Sequence, residues 1–469
     1  MTDATSEMPK RGMMAKARWA AENTPASRNR AVDLYRAVAI LFVVLGHWLL
    51  VAPVVRGGEL ELSILLAEQT WTQYATWLFQ VMPVFFFVGG FSNSLSWESA
   101  RRDPEKKRIW ASARLARLLK PTVPLVLLWA ALAFIAKAFG FDNVTIKNIS
   151  QAALVPIWFL AVYIVMTMLV PLTMALWDRI GFASVVLFAA CAIAVDFIGL
   201  ALDQGWLRWS NYAFVWLAVH QLGYWWRRAE RPKTKAHGIV AQGNGGHYVL
   251  ISHLGYPISM VSVPGEEFSN TRPPTVAMLA VGSLQIGVIL LVSDLANRWL
   301  QNTRPWAWVI VMNQMIMSVY LWHMTAMIAV VGVAMALGGV GLEIEPGTGT
   351  WWALRPLWLL FFVAMLVPFL AVFLRFESGS RAALPRYGPQ VLVQGDPRLI
   401  DKITPKFALN HGILPMRRSG AMTLIAAQSR KSFRKARPEL EAAFGPVAAV
   451  YAPRGDICAA IARSHALEL

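Results

Sequence analysis

The sequence predicts an all-α polytopic membrane protein of about ten transmembrane helices, with a small cytoplasmic α/β domain at the C-terminus. Of its 469 residues, 56% are hydrophobic and only 15% are charged, whereas soluble domains carry about 25% charged residues. Apolar segments close to the ~20 residues needed to cross a bilayer recur between residues 32 and 374. The loops between these segments alternate between basic and acidic composition, as the positive-inside rule requires of a multi-pass protein.

Ten apolar segments carry this prediction. They cover residues 32–52, 74–95, 118–138, 153–176, 181–201, 210–226, 237–256, 275–297, 306–337 and 352–374. The seventh is the weakest, because Gln242, Asn244, His247 and His253 interrupt it. The ninth is too long for a perpendicular span, so we expect it to be tilted or broken.

The excess of basic residues has two explanations, a nucleic-acid partner or the cytoplasmic loops of a membrane protein. Lys and Arg total 44 against 27 Asp and Glu, a formal net charge of +17. The loop after the second segment is basic, whereas the loop after the first segment contains Glu59, Glu61 and Glu68. This alternation predicts a plasma (inner) membrane protein with both termini in the cytoplasm. Because topology accounts for the charge and no recognition motif is present, we expect no nucleic-acid partner.

The composition changes after Arg375. The last 95 residues contain no Trp, and short apolar strands at Met422–Ala427 and Val447–Tyr451 alternate with helical patterns at Ser432–Phe444 and Gly455–His465. We therefore predict four regions: a basic cytoplasmic tail (1–30), a membrane domain (31–375), a linker (376–397) and a small α/β regulatory or docking domain (398–469).

The first apolar segment contains ionisable residues, which are costly inside a bilayer and are functional candidates for that reason. His47 follows Arg36 by eleven residues, about 16 Å along a helix, which places it past the mid-plane. A neutral histidine is a natural proton acceptor near pH 7. The alternatives are that His47 only bonds a neighbouring helix and that Arg36 and Asp33 serve structure at the cytoplasmic end.

Four stretches of the sequence form an ordered set of motifs. The first is Asp33–Arg36 with His47, where ten residues separate Arg36 from His47. The others are Met82–Phe91 in the second segment, Arg114-Leu-Ala-Arg117 followed by Pro121, and Ser318-Val-Tyr320-Leu-Trp-His323. Taken in order, these stretches resemble the acyltransferase-3 family of multi-pass membrane acyltransferases. The resemblance covers about residues 30–375. One departure is Gly89, where many members have Ser; the contact of that Ser is missing here or supplied by Ser92 or Asn93.

The resemblance implies transfer of an acyl group from cytoplasmic acyl-CoA to a hydroxyl of a cell-envelope glycan, glycolipid or exported metabolite. In this interpretation His47 is the general base, with Arg36 as a further catalytic residue. Arg36, Arg114 and Arg117 would bind the donor phosphates, since guanidinium groups match phosphate geometry. The alternative is that these arginines only follow the positive-inside rule. Acyl-CoA is a donor substrate, so no bound cofactor is expected. No metal is expected either, because His237, His247 and His253 lack ligand spacing.

The acceptor, a glycan or lipid, would meet a second set of side chains. His323 and Tyr320 lie one turn apart and would bind the acceptor or orient the base, unless they serve helix packing. Asn93 and Trp158 complete the predicted substrate contacts, although Trp158 also fits an aromatic belt among membrane lipids.

The C-terminal region resembles the small N-terminal domain of type II secretion and pilus-assembly ATPases, through Pro405–Ala408, Gly412–Pro415, Met422–Ala427 and Asp456–Ile461. This implies a protein or nucleotide partner. Two hypotheses of other classes stay open at this point: a transporter or flippase-like carrier that uses the same polar cavity, and a membrane platform for a partner bound by the C-terminal domain.

Overall fold

The computed structural model describes residues 12–25, 28–229, 232–377, 397–419, 422–452 and 454–465. The chain divides into two compact units, one covering Met8–Glu377 and the other containing the described residues of Ser378–Leu469. The first unit is helical apart from one hairpin, and the second combines helices with a small sheet.

The first unit contains fifteen α-helices within the described ranges, of which the long ones form its body. They are α1 (Met13–Glu22), α2 (Ala31–Leu50), α3 (Leu65–Glu68), α4 (Thr76–Phe79), α5 (Met82–Arg101), α6 (Pro104–Ala138), α7 (Asn143–Met168), α8 (Val170–Ile180), α9 (Ala183–Ala201), α10 (Gly205–Arg208), α11 (Asn211–Arg228), α12 (Pro232–His253), α13 (Val276–Trp299), α14 (Thr303–Ala336) and α15 (Gly349–Glu377). A 3₁₀ helix, Thr70–Ala75, precedes α4.

Eight helical segments of the described residues are long and apolar enough to cross a membrane. They are Ala31–Leu50, Thr70–Arg101, Pro104–Ala138, Asn143–Met168, Ala183–Ala201, Val276–Trp299, Thr303–Ala336 and Gly349–Glu377. Each coincides with a predicted segment, which confirms the all-α polytopic fold class. The other two predicted segments form α11 and α12, whose polar residues keep them outside this set.

Two glycines set the closest helix crossing, between α5 and α11. A Cβ on Gly90 would lie 1.9 Å from the backbone carbonyl oxygen of His220, and a Cβ on Gly223 would lie 2.1 Å from that of Phe87. Only glycine at both positions lets the two backbones approach this closely, a common device where helices pack in lipid. The crossing fixes α5, which carries Asn93, one of the predicted site residues.

A β-hairpin follows α2 directly, where the sequence predicted the end of a span and a loop. Strands β1 (Val51–Arg56) and β2 (Glu59–Ile64) pair antiparallel around Gly57-Gly58. Both glycines have positive φ, as a tight hairpin turn requires. Arg56 forms ion pairs with Glu61 (3.0 Å), Glu68 (3.2 Å) and Glu345 (2.7 Å). These pairs tie the hairpin to the loop between α14 and α15.

Helix α14 packs against a helix that the sequence analysis placed within a basic tail. Ala17 and Ala21 of α1 lie in one buried cluster with Trp306 and Ala307 at the start of α14. The ninth segment, expected to be tilted or broken, is a single helix of 34 residues. At the end of α15, the carboxylate of Glu377 accepts hydrogen bonds from two backbone N–H groups of α14, those of Met317 (2.8 Å) and Ser318 (2.7 Å).

The second unit contains a three-stranded sheet in the order β3 (Ile413–Ser419), β4 (Met422–Ala427), β5 (Val447–Tyr451). Strands β3 and β4 are antiparallel, whereas β4 and β5 are parallel and joined through a helix, as parallel pairing requires. The helices are α16 (Pro397–Ile400), α17 (Pro405–His411), α18 (Arg430–Phe444) and α19 (Arg454–His465). This confirms the predicted α/β character of the C-terminal region, with β3 as an additional strand.

Candidate active site

The two histidines predicted for the site, 276 positions apart in sequence, form a hydrogen-bonded pair inside the helical unit. His47 lies in the last turn of α2, and its Nδ1 is 2.8 Å from Nε2 of His323 on α14. The two rings are almost parallel, at 3°. His323 is fully buried and His47 is part-exposed. The pair therefore has one sequestered member and one that a substrate can reach.

Hydrogen bonding assigns the tautomers of this pair. The Nδ1 of His323 is 2.6 Å from the backbone oxygen of Tyr320. Because a carbonyl oxygen only accepts, Nδ1 of His323 carries the proton, and its Nε2 accepts from Nδ1–H of His47. In the neutral pair, the remaining nitrogen of His47, Nε2, then has a free lone pair. The arrangement leaves His47 ready to take a proton, which is the requirement for a general base.

Trp48, next to His47 on α2, holds the backbone of α14 at His323. Its indole Nε1–H donates to the backbone oxygen of His323 at 3.0 Å. This bond joins α2 to α14 one residue beyond His47. The two histidines are thus held by backbone and indole groups as well as by each other, which limits rotation of the two imidazole rings.

Arg36 lies at the other end of α2, held by one hydroxyl and one carboxylate. Its Nη2 donates to Oγ of Ser92 on α5 at 2.6 Å, and its Nη1 is 3.4 Å from Oδ1 of Asp33. Arg28 takes the second oxygen of Asp33 at 2.6 Å. Arg36 therefore shares the carboxylate of Asp33 with Arg28. Of the two residues proposed to replace the missing Ser at position 89, Ser92 is the one that contacts this arginine.

Arg114 on α6 completes a cationic cluster with Arg36 and Arg117. Arg117, Tyr163 and Arg36 act electrostatically on Arg114. Its guanidinium also lies 5.8 Å from the ring centre of Trp110. Among the described residues, Arg36 pairs with the carboxylate of Asp33, whereas no ion pair is found for Arg114 or Arg117. Because like charges repel, this arrangement is typical of a site that binds an anion.

The other predicted residues contact neighbouring helices. The hydroxyl of Tyr320 donates to the backbone oxygen of Pro156 at 2.8 Å, which joins α14 to α7. Trp158 lies on α7 two positions further on and is part-buried. Asn93 is buried on α5, where its amide lies 3.3 Å from Nε2 of His220. The structure thus brings together His47, His323 and the backbone of Tyr320, whereas Asn93 contacts a different helix.

Two buried charged residues for which the sequence predicted no role, Asp196 and Arg355, have hydrogen-bond partners in the structure. Asp196, fully buried on α9, accepts from Nε of Arg208 (3.3 Å), the hydroxyl of Tyr256 (2.9 Å) and the backbone N–H of Val276 (3.0 Å). Its role is structural, as four elements meet at one carboxylate.

Arg355 is the second, and the sequence analysis did not single it out. It is buried within α15 and donates to the backbone oxygens of Trp48 and, at 2.8 Å, Val51. A cation at the C-terminal end of α2 complements the helix dipole there. The sequence could have identified Arg355, because it is an ionisable residue inside the tenth apolar segment, just as His47 is an ionisable residue inside the first.

In the part of the chain that the structure describes, no group of three or more His, Cys, Asp or Glu side chains is placed to hold a metal ion. The polar side chains of the site are imidazole, guanidinium, hydroxyl and amide groups, with the carboxylate of Asp33 beside Arg36. The chemistry that follows from them is proton transfer and anion binding.

The comparison with known families decides the identity of the helical unit. A family model for an acyltransferase domain, that of acyltransferase-3, matches residues 29–375. The chain belongs to the acyltransferase-3 family. The match covers all of α2 to α14 and nearly all of α15, so it includes both histidines and the three clustered arginines. No curated protein and no solved structure matches the chain.

Proposed function

We propose that this membrane acyltransferase moves an acyl group from acyl-CoA to a hydroxyl of a cell-envelope glycan, glycolipid or exported metabolite. Membership of the family supports acyl transfer, and the donor, acceptor and base are the proposal. The observation that carries it is the His47–His323 pair, in which the hydrogen bonds leave Nε2 of His47 as a free base.

The proposed reaction needs that base, because an alcohol is a poor nucleophile near pH 7. Nε2 of His47 takes the proton of the acceptor hydroxyl as its oxygen attacks the thioester carbonyl. The new C–O bond forms, the C–S bond breaks, and the proton passes from His47 to the leaving thiolate. His323 is a positioning residue: it accepts from Nδ1–H of His47 throughout and stabilises the imidazolium that forms transiently.

The donor side of the proposal rests on Arg36, Arg114 and Arg117. Guanidinium groups bind phosphate oxygens in a bidentate manner, and the phosphates of acyl-CoA would supply anionic partners for these arginines. Arg36 and His47 lie about 16 Å apart along α2, at 1.5 Å per residue. An extended pantetheine arm has a comparable length, so phosphates at Arg36 would bring the thioester to His47.

The acceptor would reach His47 from the opposite side. In this proposal Trp158 contacts the acceptor, while Tyr320 and Asn93 support the cavity from buried positions. The protein would lie in the plasma (inner) membrane with both termini in the cytoplasm, where acyl-CoA is made. The C-terminal unit would then bind a cytoplasmic protein or nucleotide.

The test uses the full chain, purified and reconstituted in nanodiscs with a medium-length and a short-chain acyl-CoA. Acceptors come from a lipid and glycan extract of cells that lack the protein, and mass spectrometry follows the gain of one acyl group. We expect stoichiometric release of free CoA and of acylated product. Movement of an unmodified substrate between leaflets without CoA release would instead support a carrier and contradict the proposal.

A further inference from the structure

Tyr163 on α7 is a polar group at the cationic cluster for which the proposed function has no role. Its aromatic ring is enclosed by Phe85, Phe86 and Phe159, with ring centres 5.2, 6.1 and 6.0 Å away. These contacts fix the ring, so the position of its hydroxyl is defined. Among the described residues, no hydrogen-bond partner is found for that hydroxyl, which leaves it free for a ligand.

Because Gly89 on α5 has no side chain, it leaves the space that the end of the Tyr163 side chain occupies. A Cβ at position 89 would lie 3.0 Å from Cε2 of Tyr163 and 3.3 Å from its hydroxyl oxygen. The first distance is tighter than normal carbon–carbon contact, so any larger residue would push the ring away. The end of the Tyr163 side chain therefore lies directly against the backbone of α5.

This location is one helical turn from the bond between Ser92 and Arg36. Gly89 and Ser92 are three residues apart on α5, about 4.5 Å along the helix and on the same face. Tyr163 is also among the groups that act electrostatically on Arg114. The hydroxyl thus lies beside the turn of α5 whose Ser92 bonds Arg36.

We propose that Tyr163 is a fourth ligand of the donor phosphates, which donates its O–H to a phosphate oxygen that the guanidinium groups also hold. A phenol adds a short, charge-assisted hydrogen bond to such an anion. The ligand class is a phosphate or pyrophosphate ester of a nucleotide thioester. This inference rests on the proposed function and assigns Tyr163 to its donor side, with Gly89 as the residue that makes room.

The experiment compares Tyr163→Phe with wild type on two donors, acyl-CoA and acyl-pantetheine, which carries the same thioester without phosphates. The ring and its packing stay, and only the hydroxyl is lost. With acyl-CoA we expect the donor KM to rise about tenfold or more, the size expected of a hydrogen bond to a charged group. With acyl-pantetheine we expect no change, and kcat should stay the same with both donors.

Two further variants make the test decisive. Tyr212→Phe is the matched control, since its hydroxyl donates to the backbone oxygen of Thr271 at 3.2 Å, and its donor KM should equal that of wild type. Gly89→Ala displaces the ring without touching the hydroxyl and should raise the acyl-CoA KM in the same manner. An unchanged acyl-CoA KM in Tyr163→Phe, or an equal rise with acyl-pantetheine, would overturn the inference.

The Arg114→Gln variant separates the two proposals. If it raises the acyl-CoA KM while Tyr163→Phe does not, the donor site stands and only the assignment of Tyr163 fails. If neither variant changes the acyl-CoA KM, the donor side of the proposed function is wrong as well.

Discussion

Replacing His323 tests whether the histidine pair works as a unit. In His323→Leu, Nδ1–H of His47 loses its acceptor, which is now 2.8 Å away, and the surroundings offer apolar atoms instead. The ring then favours no single tautomer, and the imidazolium of the transition state has no partner. A hydrogen bond to a charged group is worth about 1.5–3 kcal/mol. At 1.36 kcal/mol per factor of ten, kcat should fall about 10- to 150-fold.

His323→Gln is the matched control for this loss. The amide oxygen of glutamine can reach the position of the imidazole Nε2 and accept from Nδ1–H of His47, so most of the activity should remain. The assay is the initial rate of CoA release at saturating donor and acceptor, normalised to folded protein by size-exclusion chromatography in detergent. If His323→Leu keeps the wild-type kcat while it folds normally, His323 does not position the base.

Two further predictions concern stability rather than chemistry. Gly90→Ala should prevent folding or lower the thermal midpoint strongly, because its Cβ would lie 1.9 Å from the backbone oxygen of His220, whereas Gly238→Ala, with no atom within 4 Å, should be tolerated; thermal unfolding in detergent measures both. The hydrogen bond from Arg56 holds the pKa of Glu345 below its usual range. A carboxylate whose pKa is lowered by folding stabilises the folded state above its unfolded pKa, and this stabilisation is lost as the pH falls through the folded-state pKa. The hydrogen-exchange protection factors of residues 51–64, which are corrected for the intrinsic pH dependence of exchange, should therefore fall in acid for wild type, with a smaller fall in Glu345→Gln; equal falls would contradict this.

The general architecture was predictable because a bilayer imposes a simple rule on sequence. Backbone groups in lipid must bond internally, so apolar stretches of about 20 residues form helices. For this reason, all eight helical segments of the described residues that are long and apolar enough to cross a membrane overlap predicted segments. The second unit was predictable in part: Met422–Ala427 and Val447–Tyr451 are strands as expected, since apolar runs between Gly and Pro are typical of strands.

The partners of polar groups were not predictable, because they depend on how helices pack. Spacing placed His47 on the first span, but nothing in the sequence shows that its Nδ1 meets His323. The same holds for Tyr163, which becomes visible only when Gly89 lies against its ring. Arg355 differs, since composition alone could have identified it. The hairpin at residues 51–64 was missed because apolar residues of the first segment run on into its first strand.

The central claim is that this acyltransferase-3 protein uses His47 as the base of acyl transfer. The most direct measurement is the kcat for CoA release by His47→Gln at saturating acyl-CoA and acceptor, in nanodiscs, on protein shown to be folded. General-base catalysis contributes about 10²- to 10⁴-fold, so we predict a loss of that size with the acyl-CoA Kd unchanged. A His47→Gln protein that keeps its kcat within a few-fold of wild type would contradict the account.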